Sequence, residues 1–75
     1  MDYSSVAVGK TIRRLRCSRR QSQEVFSRLA GISRTHLTMI ECETKNANVE
    51  TLAKISHAFD MKLSDFFLEV EKENE

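Results

Sequence analysis

Arg34, Thr35 and Thr38 carry hydrogen-bonding groups at the spacing i, i+1 and i+4, which places them on one broad side of a helix, away from the apolar Leu37 and Ile40. The guanidinium of Arg34 can donate two hydrogen bonds to guanine O6 and N7, or it can contact a phosphate. A threonine can donate a hydrogen bond to a base edge or place its methyl group against that of thymine. These residue types fit a surface that binds nucleic acid, and they leave open whether Arg34 contacts a base or a phosphate.

The other reactive residue types do not form a catalytic or metal-binding site. The chain shows no paired carboxylates, no nucleophile beside a base and no phosphate-binding loop, so an enzyme is not indicated. Cys17, Cys42, His36 and His57 lack the spacing of a zinc site, and neither a metal nor another cofactor is indicated. Two cysteines make no disulfide framework, which is typical of the reducing cytoplasm.

The charge is unevenly distributed along the chain. Residues 1–45 contain nine Lys and Arg and four Asp and Glu, a net charge of +5. Residues 46–75 contain three lysines and seven acids, a net charge of −4. A basic first part suits a polyanionic partner, although the same charges could simply be solvated helix surface.

Length and composition limit the architecture. Seventy-five residues with 40% apolar content make one domain with a small core, and two glycines with no proline favour helices. No apolar run approaches the ~18 residues of a membrane span, and the N-terminus does not resemble a signal peptide. We therefore expect one cytoplasmic domain over residues 1–75, with no membrane contact and an acidic tail from about 71 to 75.

Apolar periodicity predicts five helices. They cover about residues 6–19, 23–30, 34–42, 49–59 and 64–70, with Ser22, Ser33 and Asn48 as N-caps. In the fourth helix, the residues expected to face inward are Val49, Leu52, Ala53, Ile55, Ser56 and Phe59.

The second and third helices have the features of a helix-turn-helix. Ser27 is small enough for close helix contact, Gly31 tolerates a left-handed turn, and Ile32, Leu37 and Ile40 can anchor the third helix. The spacing alone would also fit an ordinary helical hairpin in a bundle.

This stretch resembles the helix-turn-helix family of phage repressors, Cro and Xre-type regulators. The resemblance covers roughly Lys10 to Phe67 and rests on the runs "SQEVFSRLAGIS", "RTHLTMIE" and "VETLAKISHAFDMKLSDFF". It implies a five-helix, all-α domain that binds operator DNA as a two-fold dimer. The run "SRTHLTMIE" is also similar to restriction–modification controller proteins.

The resemblance implies a role for each matching residue. The third helix would enter the major groove, with Arg34, Thr35 and Thr38 contacting bases. Gln23 would bind a phosphate and brace this recognition helix, while Arg16 and Glu41 would form an internal salt bridge. The residues expected at the DNA backbone are Ser22, Gln23, Ser33, His36, Lys45 and Asn46.

The last predicted helix is short but carries three large apolar residues, Phe66, Phe67 and Val70. If one helix face cannot bury all three, they form a homodimer interface; the alternative is that all three pack inside the monomer. A dimer would place two recognition helices one DNA turn apart, ~34 Å.

Three glycines that are usual in the family are missing, and one further position also departs from its pattern. Arg20, Glu43 and Asp60 stand where glycines usually end helices, and aspartate tolerates the left-handed conformation better than the other two. Gln21 replaces an apolar residue, which thins the packing between the first two helices.

These observations predict a transcriptional regulator that blocks or recruits RNA polymerase. The alternative is an antitoxin-type protein-interaction module, in which the acidic C-terminal segment or the Phe-rich helix binds a protein and DNA binding is autoregulatory.

Overall fold

The computed structural model describes residues 5–42 and 46–73, which form five α-helices. The helices are Ser5–Ser18 (α1), Gln23–Ala30 (α2), Arg34–Glu41 (α3), Val49–Ala58 (α4) and Leu63–Glu73 (α5). No strand occurs within the described residues, so the all-α prediction is confirmed. The main difference lies in α5, which continues as helix to Glu73 where a tail from about residue 71 was expected.

Side-chain caps begin the three central helices as predicted. Ser22, Ser33 and Asn48 each accept a hydrogen bond from the backbone amide three residues later, at 3.1, 3.0 and 2.8 Å. Each bond satisfies one of the amides that a helix N-terminus leaves unpaired. Gly31 ends α2 with φ = 72°, the left-handed conformation expected of it.

Two residues without a glycine's freedom also adopt positive φ. Arg20 follows α1 with φ = 55° and Asp60 follows α4 with φ = 60°, at two of the positions where the resemblance implies glycine. The left-handed conformation costs Arg20 about 1 kcal/mol, and Asp60 less. Glu43, the third such position, lies outside the described residues.

The core lies where all five helices meet. The rings of Phe26 and Phe59 stack with centroids 4.3 Å apart, which joins α2 to the end of α4. The buried apolar residues are Ala7, Val8, Ile12, Phe26, Ala30, Leu37, Ile40, Leu52, Ile55, Phe59, Phe66 and Val70.

The inward face of α4 differs from the prediction at two positions. Val49 is 65% exposed and Ala53 is also exposed, whereas Thr51 is buried. The buried stripe is centred on Leu52 and Ile55, so the helical rotation carries Ala53 to the opposite side and Val49 to the flank. Both inward assignments were wrong.

The predicted dimer interface on α5 was wrong for two of its three residues. Phe66 and Val70 are fully buried within the single chain, and Phe67 is half-buried. Phe66 and Val70 lie four residues apart on one stripe, and α5 packs against both α1 and α4. The monomer therefore covers that stripe from two sides.

Arg14 links α1 to α5 across the sequence. Its guanidinium hydrogen-bonds Glu73 and, at 3.0 Å, Glu69, which also accepts a 3.0 Å bond from Lys72. These contacts raise the pKa of Arg14 and lower the pKa of Glu69 from their ordinary values.

Acid should remove this link. The pKa of Glu69 is lower in the folded protein than in the unfolded chain. Its ionised form therefore stabilises the fold at pH values above the unfolded-state pKa, and this stabilisation is lost as the pH falls through the folded-state pKa. We expect Arg14→Ala to reduce the free energy of unfolding at neutral pH and to make less difference at an acidic pH where Glu69 is protonated in the folded protein. Urea titrations of both proteins at the two pH values measure this. A difference that is the same at both would show that the link does not need an ionised Glu69.

Candidate nucleic-acid interface

The turn between α2 and α3 is fixed from inside. Ser27 is buried, and its carbonyl accepts a 3.0 Å hydrogen bond from the amide of Ile32 just after Gly31. Leu37 and Ile40 anchor α3 with at most 1% of their surface exposed. One side of α3 is therefore held against the core, and its other side faces solvent.

The outward side of α3 carries the residues predicted to contact bases. Arg34 and Thr35 are exposed in its first turn, and Thr38 is half-buried one turn later. No described residue forms an ion pair with the Arg34 guanidinium. Of the residues predicted at the DNA backbone, Ser22, Ser33 and Asn46 are exposed, Gln23 and His36 are half-buried, and Lys45 lies outside the described residues.

The two serine caps present donors toward solvent. Ser22 and Ser33 use an oxygen lone pair to accept the capping bond, so each hydroxyl hydrogen is still available. Both lie at helix N-termini, where the helix dipole and unpaired amides favour an anion. This arrangement suits a phosphate at each cap.

Glu41 joins α1, α2 and α3. Its side chain has no exposed surface, and Arg16 binds both of its oxygens, at 2.9 Å from Nε and 3.0 Å from Nη2. The Gln23 amide donates to the same carboxylate at 3.1 Å. Hydrogen bonding to Glu41 raises the pKa of Arg16. The α3 helix is thus tied to both α1 and α2.

Gln23 extends this network to the outward face. Its Oε1 lies 3.1 Å from Thr38 Oγ1, while its Nε2 bonds Glu41. One amide hydrogen of Gln23 is not used in these contacts, so a phosphate contact is still possible.

Gly9 is a positioning residue that the sequence analysis missed. A Cβ atom at this position would lie 2.8 Å from the Ile40 carbonyl oxygen and 3.0 Å from that of Glu41. The absence of a side chain lets the end of α3 approach α1 closely. A glycine inside an apolar helical pattern was the available signal.

Gly9→Ala should destabilise the protein by up to about 2 kcal/mol. Alanine favours the helix by about 0.5–1 kcal/mol, but overpacking against a backbone carbonyl typically costs about 1–3 kcal/mol. Urea unfolding measures the change, with Lys10→Ala as the control because Lys10 is exposed. A Gly9→Ala protein as stable as the Lys10→Ala protein would contradict the close approach.

Several basic side chains on α1 and just after it have partners within the chain. Besides Arg14, Arg13 lies 3.7 Å from Glu41, and the Arg19 guanidinium lies 5.3 Å from the centre of the Phe59 ring. Arg13 is still 57% exposed, so its charge can act on a ligand at long range.

A helix-turn-helix with a buried inner side and a polar, basic outer side defines a DNA-binding domain of the all-α class. The chain belongs to the helix-turn-helix family, whose model matches residues 12–66. None of the described helices is long and apolar enough to span a membrane.

Similar proteins agree with this assignment. The control protein C.MunI from Mycoplasma sp is 31% identical over 74 residues, which cover 97% of this chain and 100% of that protein. The HTH-type transcriptional regulator PuuR from Escherichia coli (strain K12) is 29% identical over 75 residues, and the chain spans only 40% of its length. The wild-type restriction-modification controller protein C.Esp1396I has the same fold, with a TM-score of 0.87, 22% identity and coverage of 99% and 96% of the two chains. PuuR is thus a transcriptional regulator and C.MunI a control protein.

Proposed function

We propose that this protein is a transcriptional regulator that binds a pseudo-palindromic operator as a homodimer, with α3 in the major groove. The main support for this proposal is that Arg34 and Thr35 are exposed on α3, whose opposite side is held in place by the buried Glu41. A rigidly held helix with outward hydrogen-bonding groups is what base recognition requires.

The contacts divide into two kinds. Arg34, Thr35 and Thr38 contact base edges and supply specificity. The side chains that contact the phosphate backbone and fix the docking position are Ser22, Gln23, Ser33, His36, Lys45 and Asn46. Bound in this way, the dimer blocks or recruits RNA polymerase.

A restriction–modification controller is the subtype that the similarities favour. C.MunI matches this chain over the whole of its own length, whereas the match to PuuR covers less than half of that protein. Phe67 is the one interface candidate on α5 that keeps exposed surface, and we place it at the dimer contact.

The antitoxin alternative has weaker support. It uses the acidic C-terminal segment or the Phe-rich helix to bind a protein. Glu69 and Glu73 already pair with Arg14 of the same chain, and Phe66 is fully buried.

The test is selection of bound sequences from random duplex DNA, followed by titration at two salt concentrations. An enriched pseudo-palindrome with half-sites ~34 Å apart and a steep salt dependence would support the proposal. Salt-dependent binding without enrichment of any sequence would indicate that the protein contacts only the phosphates. No binding would favour the protein-interaction module.

A further inference from the structure

The hydroxyl of Thr38 lies between two acceptors. Its Oγ1 is 3.1 Å from Gln23 Oε1 and 2.9 Å from the backbone carbonyl oxygen of Arg34. A hydroxyl has one hydrogen and two lone pairs, so either partner uses the only hydrogen that Thr38 can donate.

The orientation of the Gln23 amide is fixed by Glu41. The Glu41 carboxylate accepts two hydrogen bonds from Arg16 and can only accept from Gln23 as well. Rotating the amide by 180° would place two oxygens against each other and leave the buried carboxylate one donor short. Gln23 therefore presents its oxygen, not its nitrogen, to Thr38.

The second acceptor is independent of this network. The Arg34 carbonyl lies one helical turn before Thr38 and stays in place as long as α3 is helical. The Thr38 hydrogen would thus remain occupied even if the Gln23 side chain turned toward a phosphate.

We propose that Thr38 recognises DNA only as a hydrogen-bond acceptor, an inference that rests on the proposed function. Its partner in each half-site is then an exocyclic amino group, adenine N6 or cytosine N4, and not the acceptor atoms N7, O6 or O4. The serine caps have the opposite polarity, since they accept within the chain and donate outward. From the residue type alone, Thr38 could donate a hydrogen bond or place its methyl group against that of thymine.

The test uses operator duplexes in which one functional group of one base is changed at a time. In the selected operator, each adenine is replaced by purine, which lacks the N6 amino group, and each cytosine by 2-pyrimidinone, which lacks the N4 amino group. Each purine is also replaced by its 7-deaza analogue, which lacks the N7 acceptor. We expect one amino deletion per half-site to weaken binding of the native protein by roughly 3- to 10-fold.

Two variants identify the side chain responsible. Thr38→Val keeps the shape and the methyl group but has no hydroxyl, so the effect of that amino deletion should disappear. Thr38→Ser keeps the hydroxyl, so the effect should remain. Urea unfolding of both variants shows whether the domain is intact.

Three outcomes would overturn the inference. One is a 7-deaza effect that Thr38→Val abolishes, because Thr38 would then be donating. Another is the lack of any base change whose effect depends on Thr38. If no sequence is enriched in the selection, the proposed function fails and the inference with it, whereas the first two outcomes leave the proposed function standing.

Discussion

Arg16→Ala is expected to lower the free energy of unfolding by about 3–5 kcal/mol. The side chain of Glu41 has no exposed surface, and Arg16 supplies two of its three close hydrogen bonds. Without Arg16 the carboxylate stays buried with the Gln23 amide and with Arg13 at 3.7 Å. The total free energy of unfolding of a small domain is only a few kcal/mol, so a decrease of this size is a large fraction of it. Urea unfolding followed by circular dichroism measures the decrease.

Arg14→Ala is the matched control. Arg14 lies two residues away on α1 and also contacts two carboxylate oxygens, but its side chain is 43% exposed compared with 13% for Arg16. Exposed pairs are typically worth at most ~1 kcal/mol. Equal losses for the two variants would show that burial of Glu41 does not set the cost.

Arg34→Ala is expected to weaken operator binding by about 1–3 kcal/mol in each half-site while the fold stays intact. Arg34 is exposed at the start of α3, and no described residue pairs with its guanidinium. Its loss should therefore affect DNA recognition rather than stability. Competition titration of operator against random duplex measures the change in preference.

Arg34→Lys separates a base contact from a phosphate contact. Lysine keeps the charge but cannot donate a bidentate pair of hydrogen bonds to guanine. Compared with Arg34→Ala, the Arg34→Lys protein should therefore bind random DNA more tightly but show the same low preference for the operator. If Arg34 contacts only a phosphate, lysine should restore operator binding as well. The alanine variant would then weaken binding to all sequences alike and reduce the salt slope by about 1 for each half-site.

The sequence by itself determined the local structure. Ser22, Ser33 and Asn48 cap helices at the predicted places because a cap involves residues only three positions apart. Gly31 and Arg20 have positive φ where a turn or the family's glycine pattern required it. The family resemblance also paired Arg16 with Glu41, which the structure places in contact.

Only the tertiary structure decided which faces are covered and which hydrogen-bonding groups remain available. Phe66 and Val70 form an apolar stripe that could serve a core or an interface, and the choice depends on where α1 and α4 lie. The polarity of Thr38 depends on Gln23, whose orientation is set in turn by Glu41. These outcomes differ from the caps for one physical reason. A cap is determined by neighbouring residues, whereas burial and hydrogen-bond partners depend on side chains that only the packed helices bring together.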